Sequence, residues 1–263
     1  MLFVTVKFRK PKNPLKANSI NEVISILDNL IQQSTEQDSQ AGYFAALYKR
    51  MTIAVKKGID NGQFENGSRM EQLDVIFANR YFEAFDKWKS KQQPTKSWQA
   101  AFNSSGSKNL IVMQHLILGI NAHINLDLGL AAAQTAGPEI QALKNDFNKI
   151  NEIISSLIDE VQNELGQICR PFKLLDRFAN NSDEAVINFS IGIARKSAWN
   201  LAERASALNG DNLTAFINTV DNGIALISDR IIRPGFWISI PLKLIRFFEE
   251  KSVAQNSRYL NKY

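Results

Sequence analysis

The sequence predicts an all-α fold, a single-domain bundle of about eight or nine helices packed around a buried central helix at about residues 109–133. Three observations carry this. The stretch NLIVMQHLILGINAHINLDLGLAAA is apolar enough for the middle of a bundle, yet it holds both histidines of the chain. The segments around it place apolar residues at helical spacing over several turns. No run alternates as a strand would, except the short terminal FVTVKF.

Composition supports an ordinary globule: of 263 residues, 44% are hydrophobic and 22% charged. The single cysteine, Cys169, excludes an internal disulfide framework and a multi-cysteine metal site. The N-terminal MLFVTVKFRKPKNP puts its short apolar run before its charges, the wrong order for a signal peptide, so the expected location is the cytoplasm rather than outside the cell. The central stretch approaches membrane-spanning length, but its histidines, asparagines and aspartate make a transmembrane segment a poor reading. Lys7, Arg9, Lys10, Lys12 and Lys16 precede the first acid, Glu22, and account for the whole net charge of +5. A neutral body behind a basic arm argues against a nucleic-acid-binding domain. Residues 1–17 are read as that flexible arm and 18–263 as the helical domain.

Taken in order, Ser19 and Glu22 have capping-box spacing and open a first helix through Leu30. A second spans about Tyr43 to Lys57, and the glycine-marked IDNGQFENG then reads as a loop. Ser68 and Glu71 repeat the capping spacing and start a third helix to about Trp88, with Met70, Leu73, Phe77, Tyr81, Phe85 and Trp88 on one apolar arc. Arg69, Arg80, Glu83 and Asp86 fall on its polar side. Asp74 lies inside the apolar arc beside Tyr81, where a carboxylate needs a hydrogen bond, an ion pair or a metal.

After an exposed, lysine-rich connection and the short SWQAAF comes the central helix, which Gly137–Pro138 ends. The next helix reaches about Leu165, where Gly166 caps it, with Asp146 and its other acids expected on a solvated face. A short helix around Pro171–Phe178 precedes a long one that Ser182 caps, running to about Leu208. Val186, Phe189, Ile193, Ala194, Leu201, Ala205 and Leu208 are expected to face inward there, with Ser197 among them. Arg204 shares their phase, either as a buried guanidinium seeking a carboxylate or as a snorkelling side chain. Asp211 to Ile232 forms another helix. The apolar FWISIPLKLIRFFEE after Pro234–Gly235 packs across the bundle or against a partner.

On the central helix His115, Gly119, His123 and Asp127 form one i, i+4, i+8, i+12 row. Gln114, Asn121 and Asn125 form a separate amide stripe. His123 and Asp127 are close enough to share a metal or a proton, and the carboxylate could instead orient the imidazole as a general base or merely satisfy it. At ~1.5 Å rise per residue His115 sits about 12 Å along the axis from His123, too far for one ion without help. Gly119 between them removes a side chain, for a ligand or for another backbone. Two ligands are too few for catalytic zinc, so Asp74 or His115 would complete a divalent zinc, iron or manganese site. Gly119, Asn121, Tyr81 and Arg204 are the expected pocket lining. No glycine-rich phosphate loop, GxSxG elbow or HExxH occurs.

The run HLILGINAHINLDLGLAAA, His115 to Ala133, resembles the signature HLLLGINAHINxDLxxA of a bacterial family known only as a domain of unknown function. DVIFANRYFEAFDKW, Asp74 to Trp88, and RKSAWNLA, Arg195 to Ala202, are similar to that family as well. The resemblance implies an all-helical single domain and attaches no activity. The leading expectation from the residues is metal-assisted, hydrolase-like chemistry on a small substrate, with His115, His123 and Asp127 as the catalytic candidates. The alternatives are a non-enzymatic protein binding a small molecule, and a structural or interaction protein that forms a homo-oligomer through the aromatic tail, Phe236 to Phe248.

Overall fold

Residues 14–168 and 190–262 are described by the structure, a computed structural model, and they are all-α, with no strand among them. FVTVKF, the Pro171–Phe178 helix and the Ser182 cap lie outside the described residues. Of the basic arm, the last residues are pinned: the Leu15 N–H donates to Asp86 at 2.5 Å and the Ala17 N–H to Asn79 at 2.7 Å.

α1 (Ile20–Glu36) begins as its capping spacing predicts, with Ser19 Oγ accepting the Glu22 N–H at 3.2 Å. The Glu22 carboxylate reaches one residue further back than a capping box requires, to the Asn18 N–H at 2.8 Å. α2 (Ala41–Asp60) is next in the chain. α3 (Gly67–Lys89) starts earlier than expected, because Asn66 rather than Ser68 caps it, accepting the Arg69 N–H at 3.0 Å.

Besides α1, whose Ile20 N–H donates to Glu71 at 3.2 Å, the N-termini of α3 and of the two helices after it are capped by acids from elsewhere in the chain. Asp146 accepts the Glu65 and Asn66 N–H groups at 2.7 and 3.1 Å and pairs with Arg69 at 2.9 Å, at the start of α3. It is 1% exposed, so the solvated face expected for it is corrected: its carboxylate is spent on capping. At α4 (Lys96–Ser104), Asp221 takes the Lys96 and Ser97 N–H groups at 2.6 and 3.0 Å. At α5 (Val112–Ala122), Glu249 takes the Val112 N–H at 2.9 Å and holds Arg246 at 3.0 Å.

The central helix is continuous but not uniform: α5 runs into a π-helical turn, His123–Leu128, and then α6, Gly129–Ala136. Gly137, at φ 53°, stops it in a conformation glycine adopts without strain. Pro138 then opens a 3₁₀ segment, Gly137–Leu143, that leads into α7 (Lys144–Ile168), which passes through Gly166 instead of ending there. α8 (Ile191–Ser206), α9 (Gly210–Ile232), α10 (Phe236–Phe248) and α11 (Val253–Leu260) complete the described chain. On α8, Ile193 is 68% exposed and Ser197 is also outward, because Ala194, Ala198, Leu201 and Ala205 form the buried side.

The central helix contributes to all four apolar clusters of the interior: Leu116 and Ala122 to one, Leu128 and Ala131 to the next, Ile117 and Leu118 to the third, Leu126 and Leu130 to the last. One helical run, Val112–Ile154, is long and apolar enough to cross a membrane, and 78% of its most apolar window is buried inside the bundle. Backbone contact on this helix occurs at Gly129, where an added Cβ would lie 2.5 Å from the Ala198 carbonyl oxygen. At Gly119 the same atom would meet the Phe44 ring at 2.5 Å, so that glycine makes room for an aromatic side chain.

Candidate functional site

The first residue of the π turn is His123. A π turn closes i→i+5 and is found inside α-helices chiefly at functional sites. Its imidazole is 2% exposed and stacks flat on Phe77 of α3, with ring centres 3.5 Å apart and planes 9° from parallel. Tyr48 of α2 meets it edge-on at 4.4 Å. Asp127, one turn on, touches Nδ1 at a long 3.4 Å. Trp98 Nε1 of α4 donates to Asp127 Oδ2 at 2.7 Å, and Arg80 Nε of α3 donates to Oδ1 at 3.0 Å. Three helices thus converge on one carboxylate that is 2% exposed.

Burial alone would raise the Asp127 carboxyl, but the Arg80 charge, helped by His123 and Trp98, outweighs it and holds the group below the ordinary range. Asp127 is therefore an anion at neutral pH. Burial pushes His123 down, and Asp127 opposes this only in part. The imidazole is accordingly neutral, and because a carboxylate can only accept, Nδ1 carries the proton and Nε2 the lone pair. Nε2 is buried with no hydrogen-bond partner among the described residues.

His123 also lines a partly open apolar cavity of about 90 Å³ between α2, α3, the central helix, α7 and α8. Its walls include Leu47, Val55, Phe77, Ile120, Ile124 and Ile150. Asp127 is not among the lining residues, so the imidazole alone presents this pair to the cavity. Asp74, Tyr48 and Thr52 share the wall, and Asp74 Oδ2 is buried without a hydrogen-bond partner among the described residues. Burial, with Glu71 nearby, pushes the Asp74 carboxyl up to about 8, so it is a neutral acid at pH 7. Burial, then the Asp74 charge, raises the Tyr48 phenol well above its usual value.

Arg195 of α8 closes one side of the cavity and also lines a polar pocket of about 320 Å³ on its other side, with Lys144, Asn148, Lys196 and Asn200. Burial lowers this guanidinium to about 10.

Of the residues singled out in the sequence, the structure brings together His123 and Asp127, and sets Asp74 on the same cavity as His123. His115 lies elsewhere, edge-on to Tyr43 at 6.0 Å between ring centres, and burial pushes it down to about 4. Asn121 faces α9, donating to the Ile224 carbonyl at 3.1 Å and to Ser228 Oγ at 3.0 Å. Tyr81 packs behind the site against Trp98, at 5.0 Å between ring centres. Arg204 is exposed and lies over the Phe216 ring at 4.9 Å, the snorkelling alternative. Among the described residues no three His, Cys, Asp or Glu side chains come together as a metal site.

Sequence reasoning misses Arg80, Trp98, Tyr48 and Arg195. Arg80 falls on the polar side of the α3 wheel, yet it stands three residues after Phe77, and that spacing puts both on the side turned to the central helix. Arg80 and Arg195 fall within the two flanking segments that carry the family resemblance; nothing in the local pattern marks Trp98 or Tyr48.

The architecture is thus an all-helical bundle whose central helix bends through a π turn to set a buried His–Asp pair, held by an arginine and a tryptophan, beside an apolar cavity. The chain belongs to a family of unknown function (DUF5995), whose sequence model matches residues 20–234. No curated protein and no solved structure matches it.

Proposed function

We propose that this protein binds a small, largely apolar molecule in the cavity beside His123, with Nε2 as the group that hydrogen-bonds it. The observation that carries this is the neutral imidazole itself, which lines the apolar cavity: its Nδ1 edge is fixed by Asp127 while Nε2 has no partner among the described residues. Leaving a buried acceptor unmatched costs about 1–3 kcal/mol, and a ligand donor would recover it. Apolar walls with a few convergent polar groups are the usual make-up of a small-molecule site. If the bound molecule is also transformed, His123 would act as the general base and Asp127 would orient it.

Calorimetric titration with 1-octanol tests this. We expect saturable binding to the full chain, lost when Ile124→Trp fills the cavity, and weakened about fivefold in His123→Phe, the equivalent of one hydrogen bond. If octanol does not bind and native mass spectrometry finds nothing carried through purification, the reading fails.

A metal-assisted hydrolytic site is the second reading. It is favoured by His123 and Asp74 lining one cavity with Nε2 and Oδ2 unpartnered among the described residues, and it needs a third donor beyond these two. Equimolar metal in the purified protein that disappears in His123→Ala would replace the first reading with this one.

A further inference from the structure

Among the described residues, Arg195 is a buried cation without an anion. It is 4% exposed, and its donors go to neutral oxygens: Nε to the Asn151 side chain, Nη2 to the Phe147 carbonyl at 2.6 Å. The guanidinium also lies over the Phe147 ring, 4.5 Å from its centre. Among the described residues no carboxylate forms an ion pair with it, whereas Arg69, Arg80 and Arg246 each have one. A guanidinium taken out of water and matched only by dipoles is unfavourable until an anion joins it.

Its position says where that anion would come from. Arg195 is the wall common to the apolar cavity and the polar pocket. On the polar side Lys144 and Lys196 add two further positive charges, and Asn148 and Asn200 add neutral donors. The acid there, Glu203, is held by Gln141 at 2.7 Å. On the apolar side, about 90 Å³ accommodates on the order of six water-sized groups at ~15 Å³ each, the bulk of a short alkyl chain.

We infer that the ligand is an anionic amphiphile: a short apolar chain, carrying at its far end the hydroxyl that donates to His123 Nε2, enters the cavity, and a carboxylate or phosphate head sits on Arg195 between Lys144 and Lys196. This rests on the cavity-binding reading above and adds the charge and polarity of the molecule. The planar guanidinium suits a bidentate carboxylate or phosphate, and the two lysines raise the local concentration of anions.

The test compares octanoate, monooctyl phosphate and 1-octanol by calorimetry on the full chain. At least one anion is expected to bind about tenfold tighter than the alcohol, as for a charge-assisted hydrogen bond, and the tighter of the two identifies the head group. Arg195→Gln is expected to bring the anion down to the level of the alcohol measured on the same variant. Should that variant fail to fold, Lys196→Glu, at an exposed position, is expected to weaken the anion alone. An alcohol bound as tightly as both anions, or an anion preference that survives the substitutions, would overturn the head-group assignment while the cavity reading stands. Failure of all three probes overturns both.

Discussion

The central helix has two polar faces, and the bundle treats them in opposite ways. On the amide face no buried side-chain nitrogen or oxygen of Gln114, Asn121 or Asn125 lacks a partner. Gln114 Nε2 donates to the Ile231 carbonyl at 2.7 Å and its Oε1 accepts the Ile111 N–H at 3.1 Å. Asn121 spends its amide on α9 and accepts from Asn125 at 2.8 Å. On the histidine face Asp127 is saturated, but among the described residues His123 Nε2 and Asp74 Oδ2 are buried without partners. A closed network is what a structural helix contact looks like; a half-closed one beside a cavity is a site kept ready for something else. The same residue classes thus do different work on two sides of one helix.

Four substitutions would break or sharpen that contrast. The largest effect is expected from Asp127→Ala, which strands the Arg80 guanidinium, the Trp98 N–H and the His123 Nδ1–H. A loss of about 3 kcal/mol in urea unfolding is expected, at the low end for a buried pair because the Arg80 side chain is 27% exposed. A loss below about 1 kcal/mol would mean the cluster is not the anchor described.

Next comes the pH dependence set by Asp74. Its folded carboxyl titrates at about 8 against an ordinary 3.8, so between these values the folded protein keeps a proton that the unfolded chain has released. Stability should therefore fall as pH rises through that window, by up to about 1.4 kcal/mol per pH unit. Asp74→Asn should flatten the profile, and an unchanged slope in that variant would reassign the titration.

On the amide face, Asn121→Ala should destabilise by about 2 kcal/mol through unmatched groups on α9 and leave octanol affinity unchanged. A weakened affinity there would erase the distinction between the faces. Gly119→Ala should have the smallest effect, about 1 kcal/mol, since the new Cβ must displace the Phe44 ring that approaches to 2.5 Å. The melting temperature measures it.

Much of this fold is legible in the chain. The helical class and the central helix follow from periodicity, and the His123–Asp127 pair from its spacing, because both are local properties of a helix. The caps are not. Ser19 is legible because it caps its own helix, while Asp146, Asp221 and Glu249 cap α3, α4 and α5 across 80, 124 and 137 residues of sequence. For the same reason Asp146 reads as a surface acid and Arg80 as a surface base: a wheel records which side a residue faces, not what stands opposite. The tail is a mixed case. Ile238, Leu242 and Ile245 of α10 pack inward as an apolar segment should, but Trp237 and Phe236 are 80% and 73% exposed.

The π turn is slack in the helix rather than a break in it. A turn that closes i→i+5 holds one residue more than an α turn, and by widening to hold it the helix keeps the phase it would have without that residue. Residues before His123 pack on α2 and α10, and those after Leu128 on α8. Deleting one residue within the turn, Asn125 for example, would close it as an ordinary α turn and leave Gly129 against the Ala198 carbonyl. His123 and Asp127 would then stand three residues apart instead of four. Helix content by circular dichroism would barely change while octanol binding fell, a spare stitch that shapes the site and leaves the seam intact.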